Sequence, residues 1–242
     1  MRRHSARVAI LIAALLLTVG LATWALAVRE RPDISPRPEA QRPALMLQTT
    51  LPLLFPEEFS LQSGGSKALT ALETRYRVVA ISTTDAGSLG QGRMLLLAHP
   101  LAQPAEALVD LDRWVRGGGR VLLLADPRLE WPSSRPLGDK LRPPPAFADT
   151  GLLAHWGLKL EPPTEPGPVQ RELGERLVLT ASPGTLSGSC HIAGNGFVAH
   201  CSIGKGKATV VADADFLNID QLDGATSANL DGLLAELATL ER

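Results

Sequence analysis

RWVRGGGRVLLLADPRLEWPSS, residues 113–134, reads as the end of a helix, a glycine turn, a buried strand and a polar tip at Asp126 and Pro127. The strand RVLLLAD is apolar at successive positions, and therefore on both faces, as in a parallel sheet covered by helices on each side. In such sheets ligands and reacting groups collect just beyond the carboxyl ends of the strands. Asp126 and Pro127 stand at that place.

The same alternation extends in both directions. Upstream, ALMLQTT (44–50) predicts a first strand, SKALTALETRY (66–76) a helix with Leu69, Leu72 and Tyr76 at helical spacing, and RVVAIS (77–82) and RMLLLAHP (93–100) two further strands. PAEALVDLDRWVRGGG predicts a helix that starts at Pro104, pairs Asp112 with Arg116 four residues on, and stops at glycine. Downstream, RLEWPSSRPLGDKLRPPP (128–145) is a long proline-rich loop on the ligand side of the sheet. AFADTGLLAHWG predicts a short helix packing through Leu152, Leu153 and Trp156. ERLVLT, SCHIAGNG and FVAHCSIG predict added strands, and KATVVADAD (207–215) a last apolar one. SANLDGLLAELATL closes the chain as a helix behind a Thr226 or Ser227 cap. The class is α/β: a mostly parallel sheet flanked by helices, with an added β-hairpin.

Ahead of this domain, Val8 to Val28 is a run of 21 residues without a charge, long enough for a helix to cross a bilayer. Arg2, Arg3 and Arg7 precede it and predict a single-pass anchor with its N-terminus inside, so that the rest of the chain lies outside the cytoplasm. The Ala25–Leu26–Ala27 triplet offers a signal-peptidase site as the alternative, but the run exceeds an ordinary signal-peptide core. Residues 1–28 are thus an anchor or signal peptide, 29–43 a proline-rich spacer and 44–242 an exported domain, expected on the periplasmic side of a bacterial inner membrane. The net charge is −1. Without the three N-terminal arginines the remainder carries −4, which argues against nucleic acid as a partner.

LLLAHP, ALVDLDRWVRGGGRVLLLADP and GKGKATVVADADFLN, followed by an apolar helix, resemble the gliding-motility-type auxiliary domains of ABC transporters. The resemblance spans most of residues 44–240. It implies a glutamine-amidotransferase-like, flavodoxin-like sandwich tethered beside an ABC permease or another membrane-complex subunit. The amidotransferase relatives need a cysteine nucleophile at a strand-to-helix elbow, where this chain has Ala125, Asp126 and Pro127. No catalytic residue, cofactor or metal is therefore assigned. Asp126, Pro127, Asp213 and Asp215 are the candidate ligand-binding residues, with Asp126 expected to accept hydrogen bonds from N–H groups of the proline-rich loop.

Asp213 and Asp215 sharpen that question, because residues two apart on a strand share a face. With Asp126 on a neighbouring strand they would form three carboxylates able to hold Mg2+ or Ca2+. The alternative function is accordingly a metal-assisted hydrolase, and the simpler reading is turn capping, with Asp215 facing water. Asn218 and Asn229 suit capping or loop hydrogen bonds. Cys190 and Cys201 flank an Asn195–Gly196 turn signal in a register that sets His191 opposite His200 and Cys190 opposite Cys201, predicting a disulfide. The two histidines suit a surface pair. His99 and His155 are read as a loop residue and a helix residue.

Overall fold

The computed structural model describes residues 18, 32–55 and 65–242. The apolar run 8–28, on which the anchor rests, lies outside these apart from Thr18. Among the described residues no helix is long and apolar enough to cross a membrane.

The chain forms β1 (Ala44–Thr49), α1 (Lys67–Glu73), β2 (Arg77–Ala80), α2 (Ala86–Leu89), β3 (Met94–Ala98), α3 (Ala105–Arg116) and β4 (Arg120–Leu124). After the long loop come α4 (Leu152–His155), β5 (Leu158–Glu161), β6 (Pro168–Leu173), β7 (Arg176–Ala181) and β8 (Thr185–Gly188). The last elements are β9 (His191–Ala193), β10 (Val198–Ile203), β11 (Gly206–Val211) and α5 (Ser227–Leu240). A seven-stranded sheet runs β2-β1-β3-β4-β11-β10-β9. Its first five strands are parallel, and β10 and β9 are antiparallel additions. The expected class, mixed α/β on a mostly parallel sheet, is the observed one.

Side-chain alternation explains the two layers. Leu45, Leu47, Leu96, Leu122 and Leu124 point to one face and pack with Leu72 of α1 and Leu230, Leu233 and Leu237 of α5. Met46, Leu95, Leu97, Val121 and Leu123 point to the other and pack with Leu111 and Val115 of α3 and Leu152 and Leu153 of α4. β1, β3 and β4 are buried on both sides, which is why they read as apolar runs. Ser66 caps α1 by accepting from the Leu69 N–H, and Asp112 pairs with Arg116 at 2.7 Å in α3 as its spacing predicts.

Three features depart from expectation. The proline-rich spacer is docked from Ile34 onward: Ile34 packs against the core, and Arg37 bonds Glu241 through both terminal nitrogens, at 3.0 and 2.6 Å. The helix sought in 146–157 is only the single turn Leu152–His155. Two small antiparallel ribbons, β5 with β8 and β6 with β7, form outside the main sheet. The hairpin keeps its predicted register, with His200 opposite His191, and Cys190 and Cys201 form a disulfide.

Candidate functional site

Strand β11 lies beside β4 in parallel register, Val211 opposite Leu124. Two residues beyond this pair along each chain segment stand Asp213 and Asp126, so the pairing brings these two carboxylates side by side. Asp215 joins them because the backbone turns at Ala214 into a one-turn 3-10 helix, Asp215–Leu217. Strand alternation, the expected cause, is absent there, since β11 ends at Val211. Oxygens of Asp126, Asp213 and Asp215 lie within 4.8 Å of one another, and all three residues are buried.

Each carboxylate is held by identifiable groups. Asp126 accepts from the Arg128 N–H at 2.8 Å with one oxygen and from the Ala214 N–H at 3.0 Å with the other. It therefore ties the proline-rich loop to the end of the neighbouring strand, as the capping reading expects. One oxygen of Asp213 accepts from the Thr180 hydroxyl and from the Phe216 N–H; the other is buried and has no hydrogen-bond partner in the protein. Asp215 does not face water. It is 3% exposed and accepts from the Glu130 N–H at 2.8 Å. Pro127 stands apart from the trio's bonds and lies against Gly184, where an added Cβ would come within 2.6 Å of its Cγ.

Three residues that the sequence presents as ordinary build this corner. Asn229, in the first turn of α5, is buried; it accepts from the Leu179 N–H and donates to the carbonyls of Leu179 and Phe216. It thereby holds β7 and the Asp215–Leu217 turn against the helix. Ser182 adopts a left-handed backbone, φ 55°, and donates to Glu130. His99, fully buried at the end of β3 with φ 50°, shares a 2.9 Å hydrogen bond with the Pro144 carbonyl and so anchors the far end of the loop. The only hints in the sequence are the isolated Asn in an apolar helix and the His-Pro step at a strand end. His191 and His200 face each other as the expected surface pair, with rings 6.2 Å apart, and His200 also reaches 2.9 Å to the buried Glu236 of α5. His155 lies 3.3 Å from Asp112.

Burial and mutual repulsion disfavour ionising the trio. Burial is the larger cause in each case. It pushes Asp126 up to about 6 despite the N–H groups of Ala214 and Arg128, and Asp215 up to about 8 with help from the charge of Asp126. Asp213 is raised well above the ordinary carboxylate range by burial and by Asp126 and Asp215. Burial lowers His99. A carboxyl whose folded pKa is raised keeps a proton that the unfolded chain has released, so its contribution is greatest below the ordinary carboxylate pKa and falls as pH rises toward the folded value. His99 acts in the opposite sense, and only below its ordinary value of about 6.5. With a chelator present, stability should therefore drop by about 2 kcal/mol or more between pH 6.5 and 8. Melting temperatures across that range check this; a rise would contradict it.

No protein-family model matches this chain, and no curated protein is similar to it. Among solved structures, the mmIFT52 N-terminal domain is similar over 81% of this chain and 97% of its own, with 13% identity and a TM-score of 0.51. That likeness shows the fold alone. Weaker likenesses are to Cytoplasmic Protein STM3548 from Salmonella typhimurium, 9% identical over 81% of this chain and 98% of that one, TM-score 0.48. Another is to the exo-beta-1,4-mannosidase Op5Man5 from Opitutaceae bacterium strain TAV5, 13% identical over 73% of this chain, TM-score 0.45. This chain covers 32% of the mannosidase's length.

Proposed function

We propose that this chain is an exported, membrane-tethered domain that binds rather than catalyses, serving as an accessory subunit of an ABC-transporter-type assembly. One observation carries the reading: at the strand tip where an amidotransferase-like sandwich would hold its nucleophile, Asp126 is buried and both its oxygens are engaged by backbone N–H groups. The partners that fix the trio are Thr180 and the N–H groups of Arg128, Glu130, Ala214 and Phe216, none of them a cationic side chain that could serve as acid or electrophile. Both cysteines are used in the disulfide, which suits an oxidising compartment outside the cytoplasm.

The loop that Asp126 anchors supplies a binding surface. Leu137 and Leu141 are 88% and 68% exposed, and Phe55, after β1, is 81% exposed. Large apolar side chains grouped at the ligand end of a parallel sheet suit a protein contact better than a solvated surface. The resemblance of residues 44–240 to transporter auxiliary domains supplies the kind of partner, and the charge-free run 8–28 the tether.

Co-purification from detergent extracts of the native host, using the full chain as bait, tests this. A permease and an ATPase subunit should be retained, and the Leu137→Glu, Leu141→Glu double variant should reduce their recovery by about tenfold, the effect of losing roughly 1.4 kcal/mol of contact. Recovery of no membrane subunit, or equal recovery with the variant, would rule the reading out.

A further inference from the structure

We propose that Asp126, Asp213 and Asp215 form a Ca2+ site, entered through the small cavity that opens beside Asp215. The inference is independent of the accessory role and rests on three features of the corner. The first is the convergence of three buried carboxylates, with oxygens within 4.8 Å of one another, Asp126 and Asp213 from strand ends that the sheet places side by side and Asp215 from the turn that follows. The second is the Asp213 carboxyl. It is fully buried, and while one oxygen takes hydrogen bonds from Thr180 and Phe216, the other has no donor although it sits among carboxylates. A buried acceptor left without a donor is costly, and a cation at this point satisfies it.

The third feature is access. Glu130, Pro132, Ala181, Asp215, Asn218 and Gln221 line a cavity of about 90 Å3 that has Asp215 in its wall. Several waters fit in such a volume. An ion held by three inner carboxylates could complete its shell with water from this side, and Glu130 adds a further acidic group at the entrance.

The ligand set selects the ion. An all-oxygen site without histidine or thiolate suits a hard divalent cation rather than zinc or copper. Oxygens on opposite sides of Ca2+, each at roughly 2.3–2.6 Å, lie about 4.6–5.2 Å apart, whereas those around Mg2+ lie about 4.0–4.2 Å apart. Three oxygens within 4.8 Å of one another can all reach one Ca2+, whose shell tolerates irregular spacing. The carboxylates are held by strand ends and backbone N–H groups, which resist the contraction that Mg2+ would require.

The test uses the full-length chain in detergent, freed of metal with a chelator and dialysed, then titrated calorimetrically with CaCl2 or MgCl2. The expected result is one Ca2+ per chain, binding at least about tenfold tighter than Mg2+, and a melting temperature higher by about 5 °C at 100-fold excess over Kd. Asp213→Asn and Asp215→Asn should each weaken Ca2+ binding by at least about tenfold while keeping the far-UV circular dichroism of the parent. Asp215→Asn retains an oxygen for the Glu130 N–H, so its fold does not depend on the charge. Glu161→Gln, at an exposed carboxylate paired with Lys159, should bind as the parent does. Absence of Ca2+ uptake at millimolar concentration would overturn the proposal, as would uptake that survives both Asn substitutions. Mg2+ binding as tight as Ca2+ would overturn the choice of ion.

Discussion

Asp126→Asn is expected to lower the unfolding free energy by about 2–3 kcal/mol, although the substitution changes neither size nor shape. Both carboxylate oxygens accept backbone N–H groups, Arg128 on one and Ala214 on the other. An amide keeps one acceptor and turns its NH2 group on the other N–H, so two donors meet in a buried place and neither is satisfied. Relief of repulsion with Asp213 and Asp215 offsets part of that loss. Asp213→Asn is the contrasting case. Its second oxygen has no donor to lose, and an NH2 group there can donate toward the neighbouring carboxylates. In metal-free buffer it should cost less than about 1 kcal/mol or stabilise slightly. Urea unfolding of the two variants beside the parent, in chelator, measures the difference. Equal stability of all three proteins would mean that Asp126 does not anchor the loop.

A larger loss is expected from Gly206→Ala, at the first residue of β11. A Cβ there would fall 2.0 Å from the Val115 carbonyl and 2.2 Å from that of Gly119. Both are backbone atoms, at the end of α3 and the end of the turn into β4, and neither can move without opening the β4–β11 pairing that carries the aspartates. The expected cost is at least about 3 kcal/mol, above the ordinary range for overpacking by one methyl. Gly92→Ala is the control, because its Cβ would meet nothing closer than 3.6 Å. Thermal unfolding should leave Gly92→Ala close to the parent and shift Gly206→Ala by roughly 6–12 °C. A Gly206→Ala protein that melts with the parent would contradict the close approach of α3 to β11.

Much of this architecture was legible because the central strands are buried on both faces. Apolar–polar alternation is unnecessary there, and Met94–Ala98 and Arg120–Leu124 announce themselves as short apolar runs ending in polar tips. The Asn195–Gly196 turn likewise set the β9–β10 register and with it the disulfide, since a two-residue hairpin turn leaves one pairing for everything that flanks it. Local chemistry sufficed for the cap at Thr226 as well.

The small ribbons were not legible for the converse reason. PVQREL and TLSG are half-exposed and mostly polar, and they become strands only because β7 and β5 lie beside them. The docking of residues 34–43 depends on Glu241 and Thr74, which are distant in the chain. Sequence alone therefore determined the α/β class, the hairpin with its disulfide, and the candidacy of Asp126, Asp213 and Asp215. Only the tertiary structure decided that Asp215 is buried, that one oxygen of Asp213 has no donor, and that Asn229 and His99 hold the corner together. Those properties come from parallel pairing and helix packing between segments tens of residues apart, and no local pattern specifies which of the possible neighbours a strand end will meet.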